Sequence, residues 1–254
     1  MAENTTSSKD SRIYPELIIH NNEHPNRWLA VPFIGLFIRL ILIIPAALVN
    51  LFIGLCFFVL WLILPFVILF TGKYWDTAYN YLLNYLRYST KISLYIYGLT
   101  DKYPGFNFNE EGIFTIRYPK PEKPSRLLAF PVLGFLIRVI LLIPYGIYIA
   151  VLGRGVFVAL FCSWFVILFK GRYPESMYEF MRDTLRVSLA SSLYISYLSD
   201  TYPSFHISMN HKVVKIILLV LGALLFLANF SAPHSHRQPN TMYNYSSSSP
   251  NYGN

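Results

Sequence analysis

The feature that most constrains this chain is an internal duplication of a long apolar segment. Residues 27–45 read RWLAVPFIGLFIRLILIIP and residues 126–144 read RLLAFPVLGFLIRVILLIP, with 11 of 19 positions identical at an offset of 99 residues. The same offset relates the run Asp-x-Tyr-Pro-x-Phe at residues 101–106 to a second copy at 200–205. An ungapped match of this length indicates that each half of the chain is one copy of a single structural unit.

The duplicated unit has the composition of a membrane protein. The chain is 54% hydrophobic and 13% charged, whereas about 25% of the residues of an ordinary soluble domain are charged. The two apolar blocks, residues 29–71 and 127–169, each contain about 43 residues, and a single span needs about 20. The second block contains Gly153-Arg154-Gly155, and glycine disfavours the interior of a helix. We therefore predict that each block is a helical hairpin that turns near this point.

The segments outside the blocks complete the predicted organisation. Residues 76–99 and 175–198 place polar side chains at helical steps of three and four, a pattern typical of amphipathic helices at a membrane surface. The alternative is that these two helices also cross the membrane. Alternating segments at 15–20 and 112–118 predict two short strands that can pair. A further apolar run, residues 213–230, is long enough for one more span.

The sequence thus predicts an all-α integral membrane protein with two tandem helical-hairpin repeats. Each repeat is followed by an amphipathic interfacial helix, a short β-ribbon lies between the repeats, and a transmembrane helix ends the fold. The predicted parts are a disordered N-terminal tail (1–12), repeat 1 (13–111), repeat 2 (112–210), the C-terminal transmembrane helix (211–230) and a disordered tail (231–254).

The basic residues predict an orientation. If both blocks are hairpins, 19 of the 21 Lys and Arg residues fall on one side of the membrane. The side richer in Lys and Arg is normally cytoplasmic. This topology predicts a cytoplasmic N-terminus, an external C-terminal tail and two repeats that are parallel to each other.

Charged residues that recur in both copies are the candidate site residues. Each apolar block carries one arginine before its midpoint, which could line a buried pathway or anchor the helix at the interface. Other bases follow the blocks or lie on the amphipathic helices, where they could hold the phosphate of an anionic lipid or another anionic ligand. These candidates are Arg39, Arg138, Lys73, Arg172, Arg87 and Arg186. The alternative for the bases outside the blocks is a structural pairing with the recurring carboxylates Asp101 and Asp200.

The sequence contains no recognisable reactive motif. It has no glycine-rich phosphate loop, no nucleophile elbow and no His-Glu-x-x-His. Its two cysteines do not correspond under the repeat offset, and its one close histidine pair, His234 and His236, lies in the polar tail. We therefore expect a protein that is not an enzyme, uses no metal or other cofactor, and binds no nucleic acid.

The order of these elements resembles a known bacterial family. Arg27-Trp28, an apolar helix ending in Ile-Pro, Gly-Arg-Tyr-Pro at 171–174, and Leu-x-Asp-x-Tyr-Pro-x-Phe at 99–106 and 198–205 are similar to an integral-membrane family catalogued as domain of unknown function 4389. The resemblance covers both repeats, roughly residues 14 to 209, and the first copy departs from it at Lys73 and Trp75. It implies a bacterial inner-membrane location and carries over no activity, cofactor or site residues.

Three functions remain open, and we favour the first. It is a non-enzymatic inner-membrane protein that organises a protein partner or lipids at the cytoplasmic face. The lipids could be anionic, and the protein partner could be a second copy of the chain. The second is a transporter or lipid-handling protein with a cavity between the repeats, in which Arg39 and Arg138 face each other near the cytoplasmic mouth. The third is a membrane enzyme acting on lipid headgroups, which would need Asp101 and Asp200 in one cleft.

Overall fold

The computed structural model describes residues 15–19, 31, 34–107, 114–118, 120–121 and 124–231. This part of the chain is mostly helical and has a small two-stranded sheet. Its elements are β1 (Glu16–Ile19), α1 (Ile34–Thr71), α2 (Asp76–Ile96), β2 (Phe114–Arg117), α3 (Leu133–Lys170), α4 (Glu175–Ile195) and α5 (Lys212–Ser231). The predicted N-terminal tail at 1–12, residues 232–254 of the C-terminal tail predicted at 231–254, and the Arg27-Trp28 pair lie outside the described residues.

Three of the described helices, α1, α3 and α5, are long and apolar enough to cross a membrane. Helix α1 buries one stripe of residues along its length, including Ile43, Ala46 and Ile68. Large apolar side chains on its remaining faces are exposed, for example Phe52 and Phe70. Only lipid or another apolar surface can cover so much apolar area, which agrees with the membrane class that the composition predicts.

The prediction of helical hairpins is wrong, because each apolar block forms one continuous helix of 38 residues. At 1.5 Å per residue such a helix is about 57 Å long. Gly155, placed at the predicted turn, instead serves helix packing, since a Cβ there would lie 3.0 Å from the backbone oxygen of Leu218 in α5. Small residues allow membrane helices to approach this closely. Glycine costs a helix only about 1 kcal/mol, which the packing offsets.

Helices α2 and α4 run antiparallel along α1 and α3. The Tyr81 hydroxyl donates to the carbonyl oxygen of Ile53 (3.2 Å), and the Tyr88 hydroxyl donates to that of Ala46 (3.4 Å). Later residues of α2 therefore contact earlier residues of α1. The hydroxyl of Tyr145 in α3 likewise reaches the backbone of α4.

The polar stripe of α4 is buried, which differs from the predicted interfacial helix. Glu179 and Asp183 are 7% and 1% exposed. The Asp183 carboxylate accepts hydrogen bonds from the backbone N–H of Ser208 (2.6 Å) and from its hydroxyl (3.1 Å), and Glu179 accepts two from Asn210. The stripe thus binds the segment that leads into α5. Helical periodicity identifies a polar face, but it does not distinguish a face that meets water from one that meets the chain's own backbone.

The two predicted strands pair directly, as expected. They are antiparallel, and Leu17 lies opposite Ile116. These two residues are equivalent under the 99-residue offset, so an approximate twofold axis relating the repeats passes through the ribbon. The ribbon rests on α4, where the Tyr178 hydroxyl donates to the carbonyl oxygen of Ile19 (3.4 Å).

The two long helices run in opposite directions. Trp61, late in α1, stacks edge-on against Phe135, early in α3, with ring centroids 5.5 Å apart. The guanidinium of Arg126, just before α3, lies against Gly72, just after α1. At the other end of the two helices, Tyr173, just after α3, lies near Arg39, which is among the groups that lower the pKa of Tyr173. Because a continuous helix keeps its two ends far apart, α3 starts at the end of α1 and ends near the start of α1. The repeats are therefore inverted, and the prediction of parallel repeats, which followed from the hairpins, is wrong.

Candidate functional site: two arginine–aspartate clusters

The arginine near the start of α1 is buried and fully engaged. Arg39 is 5% exposed. Its Nη1 donates to the carbonyl oxygens of Tyr95 (2.7 Å) and Thr100 (3.0 Å), and its Nη2 donates to a carboxylate oxygen of Asp101. The guanidinium carbon also lies 5.1 Å from the centre of the Tyr95 ring. Arg39 is thus neither a snorkelling anchor nor an open pathway residue.

Helix α2 explains why an arginine is needed here. The last carbonyl groups of a helix lack partners within it and carry partial negative charge. Arg39 supplies a cation and two donors to the carbonyls at and just beyond the end of α2. Gly98 adopts a φ of 70°, which glycine tolerates well, and this conformation turns the chain so that Asp101 reaches the same guanidinium.

The second cluster repeats this arrangement at the start of α3. Arg138 is 1% exposed. Its Nη1 donates to the carbonyl oxygens of Tyr194 and Ser199, the latter at 2.7 Å, and its Nη2 donates to Asp200 at 2.5 Å. The other carboxylate oxygen of Asp200 accepts the backbone N–H of Ser125 at 2.7 Å. Cluster 2 therefore also fixes the segment that enters α3.

One substitution distinguishes the clusters. Tyr197 occupies the position of Gly98 and adopts a φ of 61°, which costs a side-chain-bearing residue roughly 1–2 kcal/mol. Its ring centre lies 4.8 Å from the guanidinium carbon of Arg138, and that of Tyr194 lies 4.6 Å from it. Two aromatic faces attract the buried cation and offset the backbone strain.

Each cluster has a tyrosine from the other repeat nearby. Burial raises the pKa of Tyr74, which follows α1; Asp200 raises this pKa further and Arg138 lowers it, so Tyr74 lies close to cluster 2. Burial also raises the pKa of Tyr173, which follows α3, and Arg39 is among the groups that lower it. Each repeat thus places one tyrosine beside the cluster of the other repeat, and these contacts join the inverted repeats.

The match to known families agrees with this geometry. The family described as Domain of unknown function (DUF4389) matches twice, at residues 34–107 and 133–206. Each match begins at a long helix and ends after the Asp-x-Tyr-Pro-x-Phe run, so each contains one arginine–aspartate cluster. The chain belongs to the DUF4389 family. No curated protein and no solved structure matches it significantly.

The remaining predicted site residues do not join the clusters. Lys73 and Arg172 are exposed at the ends of the long helices. Arg87 donates to the side chain of Asn84 (3.3 Å), and Arg186 donates to the carbonyl oxygen of His206 (2.7 Å). The ion pairs described for Asp101 and Asp200 are therefore those with the arginines of the long helices, not with the bases outside the blocks that the sequence suggested. The two carboxylates lie at opposite ends of the fold, so they do not form one cleft.

Two contacts of the DUF4389 repeats escaped sequence reasoning. Tyr88 in α2 and Tyr145 in α3 donate to equivalent carbonyl oxygens, those of Gly105 (3.0 Å) and Ser204 (3.3 Å). The two repeats thus satisfy the same backbone group from different helices. The only signal in the sequence was that this tyrosine stands in the second helix of repeat 1, as Tyr88, but in the first helix of repeat 2, as Tyr145.

Lys91 provides a second case of this kind. It is buried, and its ammonium group donates to the carbonyl oxygen of Asn107 (3.3 Å). Arg186 donates to the equivalent carbonyl oxygen, that of His206, in repeat 2. The two repeats therefore bind the same backbone carbonyl with bases from different positions of α2 and α4.

Metal-ligating groups are not assembled in the described part of the chain. No group of three His, Cys, Asp or Glu side chains there is placed to hold a metal ion. The two cysteines are exposed free thiols on α1 and α3.

The buried phenol of Tyr74 predicts a pH dependence of stability. The folded protein keeps this phenol neutral, whereas the unfolded chain ionises it above about pH 10. The free energy of unfolding should therefore fall as the pH rises past that value. Tyr74→Phe removes this titration and also removes a buried hydroxyl that has no hydrogen-bond partner among the described residues. We expect the variant to lose less stability than the wild type between about pH 8 and pH 11 in chemical denaturation; equal losses would contradict the assignment.

Proposed function

We propose that this protein is a non-enzymatic component of the bacterial inner membrane that organises lipids or a protein partner at the cytoplasmic face. One observation carries the proposal. The arginine of each apolar block and the carboxylate shared by the two repeats are used within the fold, as Arg39–Asp101 and Arg138–Asp200, whereas the outward faces of the long helices are apolar. Such a molecule offers a lipid-facing surface and leaves neither shared carboxylate free for acid–base chemistry.

The charges at the two ends of the fold support the orientation. Helix α5 runs antiparallel to α3, since Gly222 packs on Val151 and Leu218 on Gly155. The starts of α1 and α5 and the ends of α2 and α3 therefore share one end, which carries Lys102, Lys170, Arg172, Lys212 and Lys215. The excess of bases favours the cytoplasm for this end. Three crossings then leave the N-terminus inside and the end of α5 outside.

The lengths of the helices require a tilt. A helix of about 57 Å exceeds the roughly 30 Å hydrocarbon core. A long apolar helix adapts to such a mismatch mainly by tilting. We infer that α1 and α3 cross strongly inclined and in opposite senses, with the ribbon and the paired helices between them.

The test is recovery of the protein from native membranes with its surrounding lipid. Solubilisation in copolymer nanodiscs, followed by mass spectrometry of co-purified proteins and lipids, should yield enrichment of acidic lipid or a stoichiometric protein. The double variant Asp101→Asn with Asp200→Asn tests whether the protein catalyses a reaction. Turnover of a lipid or nucleotide by the wild type that this double variant abolishes would contradict the proposal.

A transporter or lipid-handling protein is the second candidate, because inverted repeats are typical of secondary transporters. Arg39 and Arg138 lie at opposite ends, so the mouth suggested by the sequence is not formed. A pathway would instead run along α2, where Asn84 is half-buried. Asn84→Cys, in a chain with Cys56→Ser and Cys162→Ser, should react with a membrane-impermeant maleimide if water reaches this place. Absence of labelling in the intact membrane would count against this candidate.

A further inference from the structure

We propose that the cavity at the end of α3 binds the phosphate of an acidic phospholipid. The cavity is lined by Val166, Lys170, Arg172, Tyr173 and Pro174. The proposal rests on the membrane role above and specifies its lipid. It concerns repeat 2 alone.

The lining of the cavity suits an anion. Lys170 and Arg172 are both exposed, and neither forms an ion pair with a carboxylate among the described residues. The cavity lining contains no acidic residue. Guanidinium groups bind phosphate through paired hydrogen bonds, and an ammonium group adds a compact charge. Two cations that form no ion pair with a described carboxylate therefore face one opening.

The local backbone creates this opening. Gly171 ends α3 in the left-handed conformation, with φ 66°, and its N–H donates to the carbonyl oxygen of Ile167 (2.8 Å). The chain turns at this glycine, so the bases before and after it lie on either side of the turn. The helix C-terminus alone would favour one nearby cation, whereas a second cation beyond the helix end provides a pair around the cavity.

The surroundings match an amphiphile better than a soluble anion. Phe169, on the last turn of α3, is 79% exposed, and Phe165 is exposed one turn earlier. Val166 forms an apolar wall of the cavity itself. A lipid bound here would place its phosphate at the bases and its acyl chains along these apolar side chains. The end of a membrane span is also where headgroups lie.

The equivalent place in repeat 1 is different and provides the control. Thr71 replaces Lys170, so Lys73 is the one base that repeat 1 itself supplies at this turn, and the guanidinium of Arg126 from repeat 2 lies against Gly72. The Thr71 hydroxyl donates to the carbonyl oxygen of Val67 (2.6 Å) and accepts the backbone N–H of Lys73 (3.2 Å). Repeat 1 therefore lacks the base on the last turn of the long helix, and Lys73→Gln removes a base at the matched position without touching the proposed site.

The experiment is native mass spectrometry of the full chain, purified, stripped of lipid in detergent and titrated with defined ligands. Phosphatidylglycerol should bind more tightly than phosphatidylcholine, and soluble glycerol 3-phosphate should bind weakly. Lys170→Gln with Arg172→Gln should weaken phosphatidylglycerol binding about 30-fold, since each base near a surface contributes about 1 kcal/mol. Lys73→Gln should leave it unchanged. Arg172→Lys, which retains the charge, should keep most of the affinity.

The possible failures are distinguishable. Equal phosphatidylglycerol binding by the wild type and the folded double variant would overturn the site while leaving the membrane role intact. Binding of glycerol 3-phosphate as tight as that of phosphatidylglycerol would overturn the lipid assignment in favour of a soluble phosphate. Loss of binding in Lys73→Gln to the same extent would show a general charge effect and also overturn the site. Circular dichroism and thermal unfolding confirm that each variant is folded.

Discussion

Asp101→Ala is expected to lower the free energy of unfolding by about 3 to 5 kcal/mol, which is the usual cost of leaving one member of a buried ion pair unpaired. Arg39 would remain buried at the end of α2 without its counter-charge. Equilibrium unfolding of the purified protein in a single detergent would measure the change. The equivalent variant, Asp200→Ala, should cost at least as much because it also frees the N–H of Ser125.

An exposed ion pair provides the control for this prediction. Asp76 pairs with Lys120, and their side chains are 77% and 42% exposed. Exposed pairs of this kind contribute about 1 kcal/mol or less, so Asp76→Ala should have a small effect. If Asp76→Ala and Asp101→Ala destabilised the protein equally, the arginine–aspartate clusters would not be the structural centre that their burial indicates.

Gly222→Leu is expected to disrupt the packing of α5 on α3. A Cβ at this position would clash with the backbone oxygen of Val151 and would lie 3.0 Å from the backbone nitrogen of Gly155. Backbone atoms cannot move aside as a side chain can, so we expect a loss of about 3 kcal/mol, at the upper end of the range for overpacking. Thermal unfolding, together with protease sensitivity of the segment before α5, would report the loss.

Gly146→Ala is the matched control on α3. A Cβ there meets nothing within 4 Å, and alanine is the better helix former by about 1 kcal/mol. The variant should be neutral or slightly more stable. A stabilised Gly222→Leu, or an equally destabilised Gly146→Ala, would show that the close crossing of α3 and α5 is not formed.

The class and repeat unit of this protein were predictable because they depend on composition and periodicity. Apolar length predicted membrane helices, and alternation predicted the paired strands around Leu17 and Ile116. The number of crossings per block was not predictable from length, since 43 apolar residues fit two short spans or one inclined helix. Gly155, the glycine that suggested a turn, is a packing residue. A turn glycine and a helix-packing glycine cannot be distinguished from the sequence alone.

The ion pairs of the clusters left a sequence signal that the prediction did not use. Arg39 and Asp101 are 62 residues apart, as are Arg138 and Asp200. An apolar block that retains one base in both copies is expected to pair it with the acid that also recurs, because an unpaired buried charge is costly. Their helix-capping role could not be anticipated, since it depends on where α2 and α4 end relative to the long helices.

The inversion of the repeats has the widest consequences for orientation and function. It places the end of α1 and the end of α3 at opposite ends of the fold, whereas hairpins would place them on one side. Lys73 and Arg172 are equivalent in sequence, exposed, and located just after these two helices. Cysteines at these two positions, labelled with one reagent, therefore show whether each apolar block crosses the membrane once or twice.

The decisive measurement is side-specific labelling of Lys73→Cys and Arg172→Cys in a chain with Cys56→Ser and Cys162→Ser. A membrane-impermeant maleimide would be applied to intact spheroplasts and to inverted membrane vesicles. Inverted repeats predict that the two cysteines react from opposite sides, and the proposed orientation predicts that Arg172→Cys is the one that reacts from the cytoplasmic side. Reaction of both cysteines from the same side would contradict the inverted arrangement and restore the parallel hairpins.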